Sequence, residues 1–296
     1  MDGKSTGANE SPLACRPAVM AVVGHDGSRA SLAAAPVYND AGIAQIVPTS
    51  TPRLLRRAGP WTFPVADDDS VEGALLADFA VRRLHARGIT IFYHNDEYGL
   101  GLRDGVQAGL DRLAVPVLDE VRYDTWSDLE TLVEASLARA PADVIVVAGR
   151  QHETARIARL VTARRPGTPI VAGDGALVLP ALANEAGPAI SAIYVAAFWL
   201  PDSSARSMAF VARFRRVAGR DPDPFDAMTH DALMLAATAI RTVGADRRAV
   251  RDYLASLGRS RPPYAGITGA VEFGVDRPAR TVMAKVVNGR AVRVAS

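Results

Sequence analysis

Polar side chains that could bind a small charged molecule follow several short apolar runs of the sequence. Ser28 ends the glycine-containing segment Gly24-His25-Asp26-Gly27-Ser28, between an apolar run and an amphipathic stretch. Its hydroxyl and nearby backbone N–H groups can converge on an anion at a helix N-terminus, and an ordinary N-cap is the alternative. Thr49-Ser50-Thr51 follows the run Ala44 to Val47. These hydroxyls can also act as donors, or they form a turn ahead of Pro52.

A carboxylate flanked by glycines supplies the opposite charge. Asp174 follows the apolar run Pro169 to Ala172 within Gly173-Asp174-Gly175. At a strand end this carboxylate is well placed to meet an ammonium group, and an Asx-type turn is the alternative. An α-amino acid requires donors for its carboxylate, an anion for its ammonium and an apolar wall for its side chain. The sequence offers all of these groups.

Other reactive side chains are less well arranged. His25, His94 and His152 fall at strand ends, but they come from separate strands and lack a helix-spaced ligand pair, so no metal site is predicted. Gly99-Leu100-Gly101 followed by Gly105 has the wrong spacing for a dinucleotide loop. No G-x-S-x-G elbow, P-loop or H-E-x-x-H motif occurs. We therefore expect no cofactor and no catalytic activity.

The composition is that of a globular chain with room for two cores. Its 296 residues are 49% hydrophobic, and 34 basic against 32 acidic residues leave a net charge of +2. The basic residues form no stripe, so we expect no binding to nucleic acid. No apolar run approaches the roughly 20 residues that span a bilayer. The polar segment Met1 to Glu10 has no apolar h-region, which predicts no signal peptide and a cytoplasmic location if the sequence is complete.

Short apolar runs alternate with longer amphipathic stretches, which is typical of βαβ units and a parallel sheet covered by helices. The predicted strands are Val19 to Val23, Ala44 to Val47, Thr90 to His94, Asp143 to Ala148, Pro169 to Ala172 and Ala192 to Ala197. The predicted helices are Ser31 to Ala41, Glu72 to Arg87, Gly101 to Leu113, Leu129 to Ala138, Glu153 to Arg164, Ala205 to Gly219 and Pro224 to Val243. Near the C-terminus, Asn288-Gly289 between two strand-like runs predicts a β-hairpin.

A series of motifs runs in order along the chain. They are Val22 to Ser28, Pro36 to Asn39, Ala41 to Ile46, Pro48 to Pro52, Phe63-Pro64-Val65 with Asp69 to Gly73, Asp96 to Gly99, Asp231-Ala232 and Thr268 to Phe273. Singly they are unspecific. Together they resemble the branched-chain amino-acid-binding proteins of ABC importers, a Leu/Ile/Val-binding group within the type I periplasmic binding proteins. The similarity runs from about Ala18 to the C-terminus.

The resemblance implies an α/β fold of two Rossmann-like lobes with parallel sheets and a ligand cleft between the lobes. The implied lobe 1 is residues 17–68 with 199–274, and the implied lobe 2 is residues 69–198 with 275–296. Residues 1–16 are expected to be a disordered or non-native tail. Family members begin with further β-α units, so the resemblance also implies that lobe 1 is incomplete in this sequence.

The resemblance also assigns ligand-binding residues, namely Ser28, Thr49, Thr51, Tyr98, Arg150 and Asp174. The hydroxyl residues would bind the ligand carboxylate and Asp174 its ammonium. Tyr98 matches an aromatic residue that closes over the ligand, and a partly buried tyrosine with its hydroxyl satisfied nearby is the alternative. Arg150 stands where the family often has another aromatic residue. It predicts a second ligand carboxylate, or an arginine that is solvated or paired with Asp174.

The function implied by the resemblance is that of a solute-binding protein and not an enzyme. It would capture a small amino-acid-like or carboxylate ligand between two lobes for an ABC importer, with an ABC permease as its partner. Its location would be periplasmic or extracellular. A ligand-sensing regulatory domain of the same fold, responding to an amide or an amino acid, is an alternative that suits a chain without an export signal. A truncated, non-binding remnant is the other alternative.

Overall fold

The computed structural model describes residues 16–274 and 277–294, which form two compact units. Unit 1 comprises the described parts of Met1–Asp68 and Asp202–Arg280. Unit 2 comprises Asp69–Pro201 and the described part of Thr281–Ser296. The boundaries that the sequence suggested after residues 198 and 274 lie slightly earlier in the chain than these. The tail expected over residues 1–16 lies outside the described residues, apart from Arg16.

The two units are built from short strands and longer helices. The strands are β1 (Ala21–Val23), β2 (Ala44–Val47), β3 (Thr62–Pro64), β4 (Ile89–His94), β5 (Val117–Tyr123), β6 (Val144–Ala148), β7 (Ile170–Ala172), β8 (Ile193–Ala197), β9 (Tyr264–Ala265), β10 (Ala270–Val271), β11 (Val282–Val287) and β12 (Arg290–Arg293). The helices are α1 (Ser28–Ala41), α2 (Asp69–Asp78), α3 (Glu97–Leu113), α4 (Leu129–Arg139), α5 (Gln151–Arg164), α6 (Ala181–Ala186), α7 (Ala205–Ala218), α8 (Pro224–Val243) and α9 (Arg247–Ser256). Single 3₁₀ turns cover Arg53–Arg57, Asp174–Ala176 and Gly187–Ala192, and a π-helical turn over Phe79–Arg83 extends α2.

Unit 1 contains a parallel sheet in which β1, β2 and β3 are neighbours in sequence order. Every residue of the central strand β2 is buried, as expected for a strand covered on both faces. Strands β9 and β10 form a separate antiparallel pair. Because β1 and β2 run in the same direction, the polar residues that follow them lie at one edge of this sheet.

Unit 2 contains a sheet with the strand order β12-β11-β8-β7-β6-β4-β5. Strands β4 to β8 are parallel, and β11 with β12 forms an antiparallel hairpin. Along β6, Ile145 and Val147 belong to one hydrophobic cluster, whereas Val144 and Val146 belong to another. Successive side chains of a strand point to opposite faces, so helices cover this sheet on both sides. The predicted α/β fold with parallel sheets is confirmed.

Capping side chains fix several helix starts. Asp96 accepts the N–H of Gly99 at 2.9 Å and caps α3. At α8, Asp223 and Asp226 form a reciprocal capping box, and Pro224 occupies the first turn, where its missing N–H costs nothing. At α1 the N-cap residue is Gly27, and Ser28 is the first helical residue. The N-cap alternative for Ser28 is therefore wrong.

Each strand predicted from an apolar run is present, as is the C-terminal hairpin, but β3, β5 and the two-residue strands β9 and β10 were not predicted. Strand β3 has only three residues, too few to show a pattern. Strand β5 lies at the sheet edge, where its alternating exposed residues include charged ones, so it lacks the apolar run of a central strand. The predicted helix Glu72 to Arg87 instead begins at Asp69 and ends with the π-helical turn.

The buried carboxylate of Asp231 joins α8 to the segment before β10. It accepts the N–H groups of Ile267 and Thr268 at 2.9 and 2.8 Å, and the Thr268 hydroxyl at 2.6 Å. Burial opposes ionisation of this carboxyl, but contacts with His230 and Thr268 hold its pKa below the ordinary value. The two motifs that contained Asp231 and Thr268 in the sequence are thus joined in space.

We expect Asp231→Ala to lower the free energy of unfolding by about 3 kcal/mol at pH 7, because three buried donors lose their acceptor. Because the folded-state pKa lies below the ordinary value of an aspartate, this stabilisation is present at neutral pH and is lost as the pH falls through the folded-state pKa. Urea unfolding at pH 7 and at acid pH measures the difference. Asp252→Ala, at an exposed surface pair with Arg251, is the control and should change stability by less than about 0.5 kcal/mol. An equal loss of stability in the two variants would contradict the stabilising role assigned to Asp231.

Candidate functional site

The carboxyl ends of β4, β6 and β7 lie along one edge of the unit 2 sheet, because β6 pairs in parallel with both neighbours. Open α/β sheets bind ligands at such an edge. Polar residues follow each of these strands and contact one another, together with one residue of α2. We call this group the strand-end cluster: Glu72, Asp96, Tyr98, Arg150 and Asp174. It contains every unit 2 residue that was predicted to bind a ligand.

Asp174 and Tyr98 form the buried centre of the strand-end cluster. The Asp174 side chain is 5% exposed, and its Oδ1 accepts a hydrogen bond from the Tyr98 hydroxyl at 2.9 Å. The same hydroxyl accepts the N–H of Gly175 at 3.0 Å. A Cβ at Gly175 would lie 2.9 Å from the Tyr98 ring, and one at Gly173 would lie 2.6 Å from its hydroxyl. The glycines beside Asp174 therefore make room for the tyrosine.

Glu72 was not predicted to be a site residue. It is fully buried on α2, and its Oε1 accepts the N–H of Asp174 at 2.8 Å. The neighbouring Gly73 offers a signal in the sequence, since a Cβ there would clash with the backbone of Gly105 and Val106 on α3. Glycine lets α2 and α3 approach closely and so brings Glu72 beside Asp174. Of the glycines that resembled a poor dinucleotide loop, Gly101 and Gly105 serve this helix contact, since a Cβ at either would clash with Asp69 of α2.

Burial controls the charge states in this part of the cluster. It raises the pKa of Asp174 to about 6, although hydrogen bonds from Glu72 and Tyr98 act in the opposite direction. Burial and then the charge of Asp174 raise the pKa of Glu72 well above its ordinary value. The pKa of the Tyr98 hydroxyl is raised by burial and by both acids. Two carboxyls this close cannot both ionise without a large cost in free energy.

Arg150 provides the positive charge of the strand-end cluster. Its Nη2 donates to Asp96 Oδ2 at 2.8 Å, and its guanidinium carbon lies 5.6 Å from the centre of the Tyr98 ring. Burial alone would raise the pKa of Asp96, but the N–H of Gly99 and the Arg150 guanidinium lower it. The arginine side chain is 42% exposed. The partner of Arg150 is therefore Asp96 and not Asp174, which the sequence had suggested as an alternative.

In unit 1 the predicted hydroxyl residues follow β1 and β2. Ser28 begins α1 after β1, and Thr49 and Thr51 follow β2; all three side chains are buried. A hydrogen bond of 2.8 Å between the hydroxyls of Ser31 and Ser50 joins the two segments. Among the described residues, the buried Oγ1 of Thr51 has no hydrogen-bond partner, which is uncommon for a buried polar atom. That these residues contact a ligand stays a prediction.

The histidines that raised the question of a metal site have separate partners. His25 contacts the Tyr38 hydroxyl at 3.1 Å, His94 lies 3.3 Å from Asp96, and His152 lies 2.8 Å from Glu185. Within the part of the chain that the structure describes, no group of three or more His, Cys, Asp or Glu side chains is arranged to hold a metal ion. Over the same residues, no helix is long and apolar enough to cross a membrane.

Tyr98→Phe removes one donor to Asp174 and one acceptor for the Gly175 N–H. We expect the free energy of unfolding to fall by about 1–3 kcal/mol at pH 8. The loss should be smaller at pH 5, because Asp174 is ionised only above its pKa of about 6 and the hydroxyl bond stabilises the ionised form. Thermal unfolding at the two pH values measures both effects. The control is Tyr194→Phe on β8, where Lys285 lies over the ring; a loss as large in this variant would contradict the assignment.

The sequence matches the family described as periplasmic binding protein over residues 14–288. An "amino acid binding protein" of Pseudomonas aeruginosa is 27% identical over 237 residues, which are 77% of this chain and 61% of that protein. The "Leu/Ile/Val-binding protein homolog 1" of Brucella suis is 26% identical over 257 residues, which are 85% of this chain and 67% of that protein. The chain thus spans about three fifths to two thirds of the length of these relatives.

Solved structures show the same fold. A leucine-binding protein of Thermotoga maritima has a TM-score of 0.86 at 23% identity, covering 99% of this chain and 85% of that one. A branched-chain amino-acid binding protein of Streptococcus pneumoniae, in complex with isoleucine, has a TM-score of 0.86 at 23% identity and covers 98% of this chain and 84% of that one. A solute-binding protein of R. palustris in complex with benzoate has a TM-score of 0.85 at 17% identity, covering 99% and 83%. The chain belongs to the periplasmic binding protein family and has the type I fold of that family.

Proposed function

We propose that this chain is a solute-binding protein for a small amino-acid-like or carboxylate ligand, which it delivers to the permease of an ABC importer. The observation that carries the proposal is the presence of two opposite charges around Tyr98 in the strand-end cluster, since Asp174 accepts its hydroxyl and the Arg150 guanidinium lies over its ring. The relatives and structural neighbours are named as binding proteins, which supports binding without catalysis. Because the family is one of periplasmic proteins, we propose a periplasmic or extracellular location.

The charges of the cluster suit an amino acid that carries a second carboxylate. Above a pH of about 6, Asp174 is ionised and can accept hydrogen bonds from a ligand ammonium group. Arg150 uses one nitrogen on Asp96, and a guanidinium carries five N–H donors, so further donors remain for a second ligand carboxylate. The exposed part of the Arg150 side chain is consistent with this role. We propose a ligand that carries both charges, or a carboxylate that uses Arg150 alone.

In unit 1, we propose that Ser28, Thr49 and Thr51 bind the carboxylate of the ligand. The support is the buried Thr51 Oγ1, which has no hydrogen-bond partner among the described residues and would gain one from a carboxylate. The hydroxyl network of Ser31 and Ser50 holds the two segments that carry these residues. A ligand oxygen would complete the hydrogen bonding of this group.

Calorimetry with two matched ligand pairs tests the charge assignment. L-glutamate and glutarate differ by the ammonium group, as do L-leucine and 4-methylpentanoate. Asp174→Asn should weaken binding of the two amino acids by about 10–100-fold and leave the two ammonium-free acids nearly unchanged, because a charge-assisted hydrogen bond contributes about 1.5–3 kcal/mol. Arg150→Ala should weaken the binding of L-glutamate and of glutarate by a similar factor.

Arg164→Ala is the matched control, since Arg164 forms an exposed ion pair with Glu134 on the neighbouring helix. Its affinity for each ligand should equal that of the unaltered protein. The site assignment is wrong if Arg150→Ala and Asp174→Asn leave every affinity unchanged. A melting temperature that none of these solutes raises would count against the proposed ligand class, because a ligand of the folded state must stabilise it.

A further inference from the structure

Glu72 and Asp174 are both buried inside unit 2, and the hydrogen bond from the Asp174 N–H to Glu72 Oε1 at 2.8 Å brings their carboxyls beside each other. An ionised carboxylate has no donor, so a hydrogen bond between the two carboxyls requires a proton on one of them. Glu72 Oε1 accepts the Asp174 N–H, whereas Glu72 Oε2 is buried with no partner among the described residues. When Oε2 carries a proton, this oxygen can donate a hydrogen bond, and the side chain has no buried negative charge.

The surroundings of the two carboxyls favour Glu72 as the holder of the proton. Asp174 receives the hydroxyl of Tyr98 from α3, and the positive charge of Arg150 after β6 also stabilises its ionised form. Glu72 instead faces the negative charge of Asp69 on its own helix, in addition to Asp174. The charges of both neighbours oppose the ionisation of Glu72, and burial opposes it further, whereas the Asp174 N–H acts in the opposite direction. The negative charge of the pair therefore resides on Asp174.

We infer that Glu72 is a positioning residue that keeps its proton, donates it to Asp174 and leaves the pair with one negative charge for a ligand with a single ammonium group. The choice of ligand rests on the proposed function, whereas the protonation of Glu72 does not. One negative charge beside the Arg150 guanidinium is a poor match for a divalent metal ion or a diamine. The ligand class is therefore a monoammonium amino acid.

Infrared spectroscopy of the ligand-free protein tests the protonation directly. Selective ¹³C labelling of glutamate carboxyls shifts the C=O band of a protonated glutamate and leaves that of a protonated aspartate in place. We expect a glutamate band at pH 8 that is absent from Glu72→Gln. The presence of the band is measured on the unaltered sequence, and only its assignment to Glu72 uses the variant. No shifted band at pH 8 would overturn the inference.

Two variants of Glu72 test its role as a donor, with L-leucine and L-glutamate as the probes. In Glu72→Gln a neutral amide replaces the neutral carboxyl, so affinity should change less than about threefold and its decline with falling pH should keep the midpoint near 6. In Glu72→Leu the donor is lost, and the midpoint should rise by about one pH unit because the ionised form of Asp174 loses a hydrogen bond.

An ionised Glu72 predicts the opposite result. Glu72→Gln would then remove a negative charge, lower the pH midpoint and weaken amino-acid binding about tenfold or more, and this outcome overturns the inference. The infrared and binding results also separate the two proposals. A labelled glutamate band without binding of either amino acid supports the protonation of Glu72 and counts against the proposed ligand alone.

Discussion

The Asp174 carboxyl is buried at the end of β7, and elements distant in sequence supply its hydrogen-bond partners and the space around it. A buried carboxyl needs a donor, which the Tyr98 hydroxyl supplies, while the Asp174 N–H bonds to the side chain of Glu72. These partners lie 76 and 102 residues earlier in the sequence. Their approach depends on glycines, since Gly73 lets α2 lie against α3 and Gly175 leaves space for the Tyr98 ring. Helix packing and the charge of the site are thus coupled.

The sequence was most informative where a strand is covered on both faces. The run that became β6 is apolar throughout because each residue enters one of two hydrophobic clusters, and such a run is visible without knowledge of its neighbours. Strand β5 pairs on one side only and carries Asp119, Glu120 and Arg122, so it resembles a loop. Strand β5 forms because it pairs with β4, and the local sequence pattern does not reveal this contact.

The same distinction explains how much of the site could be predicted. Asp174 and Arg150 directly follow apolar strands, and their positions, together with the family resemblance, identified them. Glu72 lies inside an amphipathic helix, where an acid is usually solvent-exposed, and the adjacent Gly73 is a weak sign of a close helix contact there. Only the fit of α2 against α3, through Gly73, places its carboxyl beside Asp174. The ion pair of Arg150 with Asp96 likewise depends on three-dimensional packing and could not be predicted from the local sequence.

That ion pair determines which charges remain for a ligand. If Arg150 bonded Asp174 directly, each group would neutralise the other, and a zwitterion would have to break a buried pair before binding. Asp96 instead takes one arginine nitrogen, and its carboxylate is held by the N–H of Gly99 at the start of α3. Arg150 is anchored while most of its donors remain, and Asp174 keeps its negative charge. Two separated charges of opposite sign suit the ammonium group and the second carboxylate of an amino acid, which is why we favour this ligand class over a simple cation.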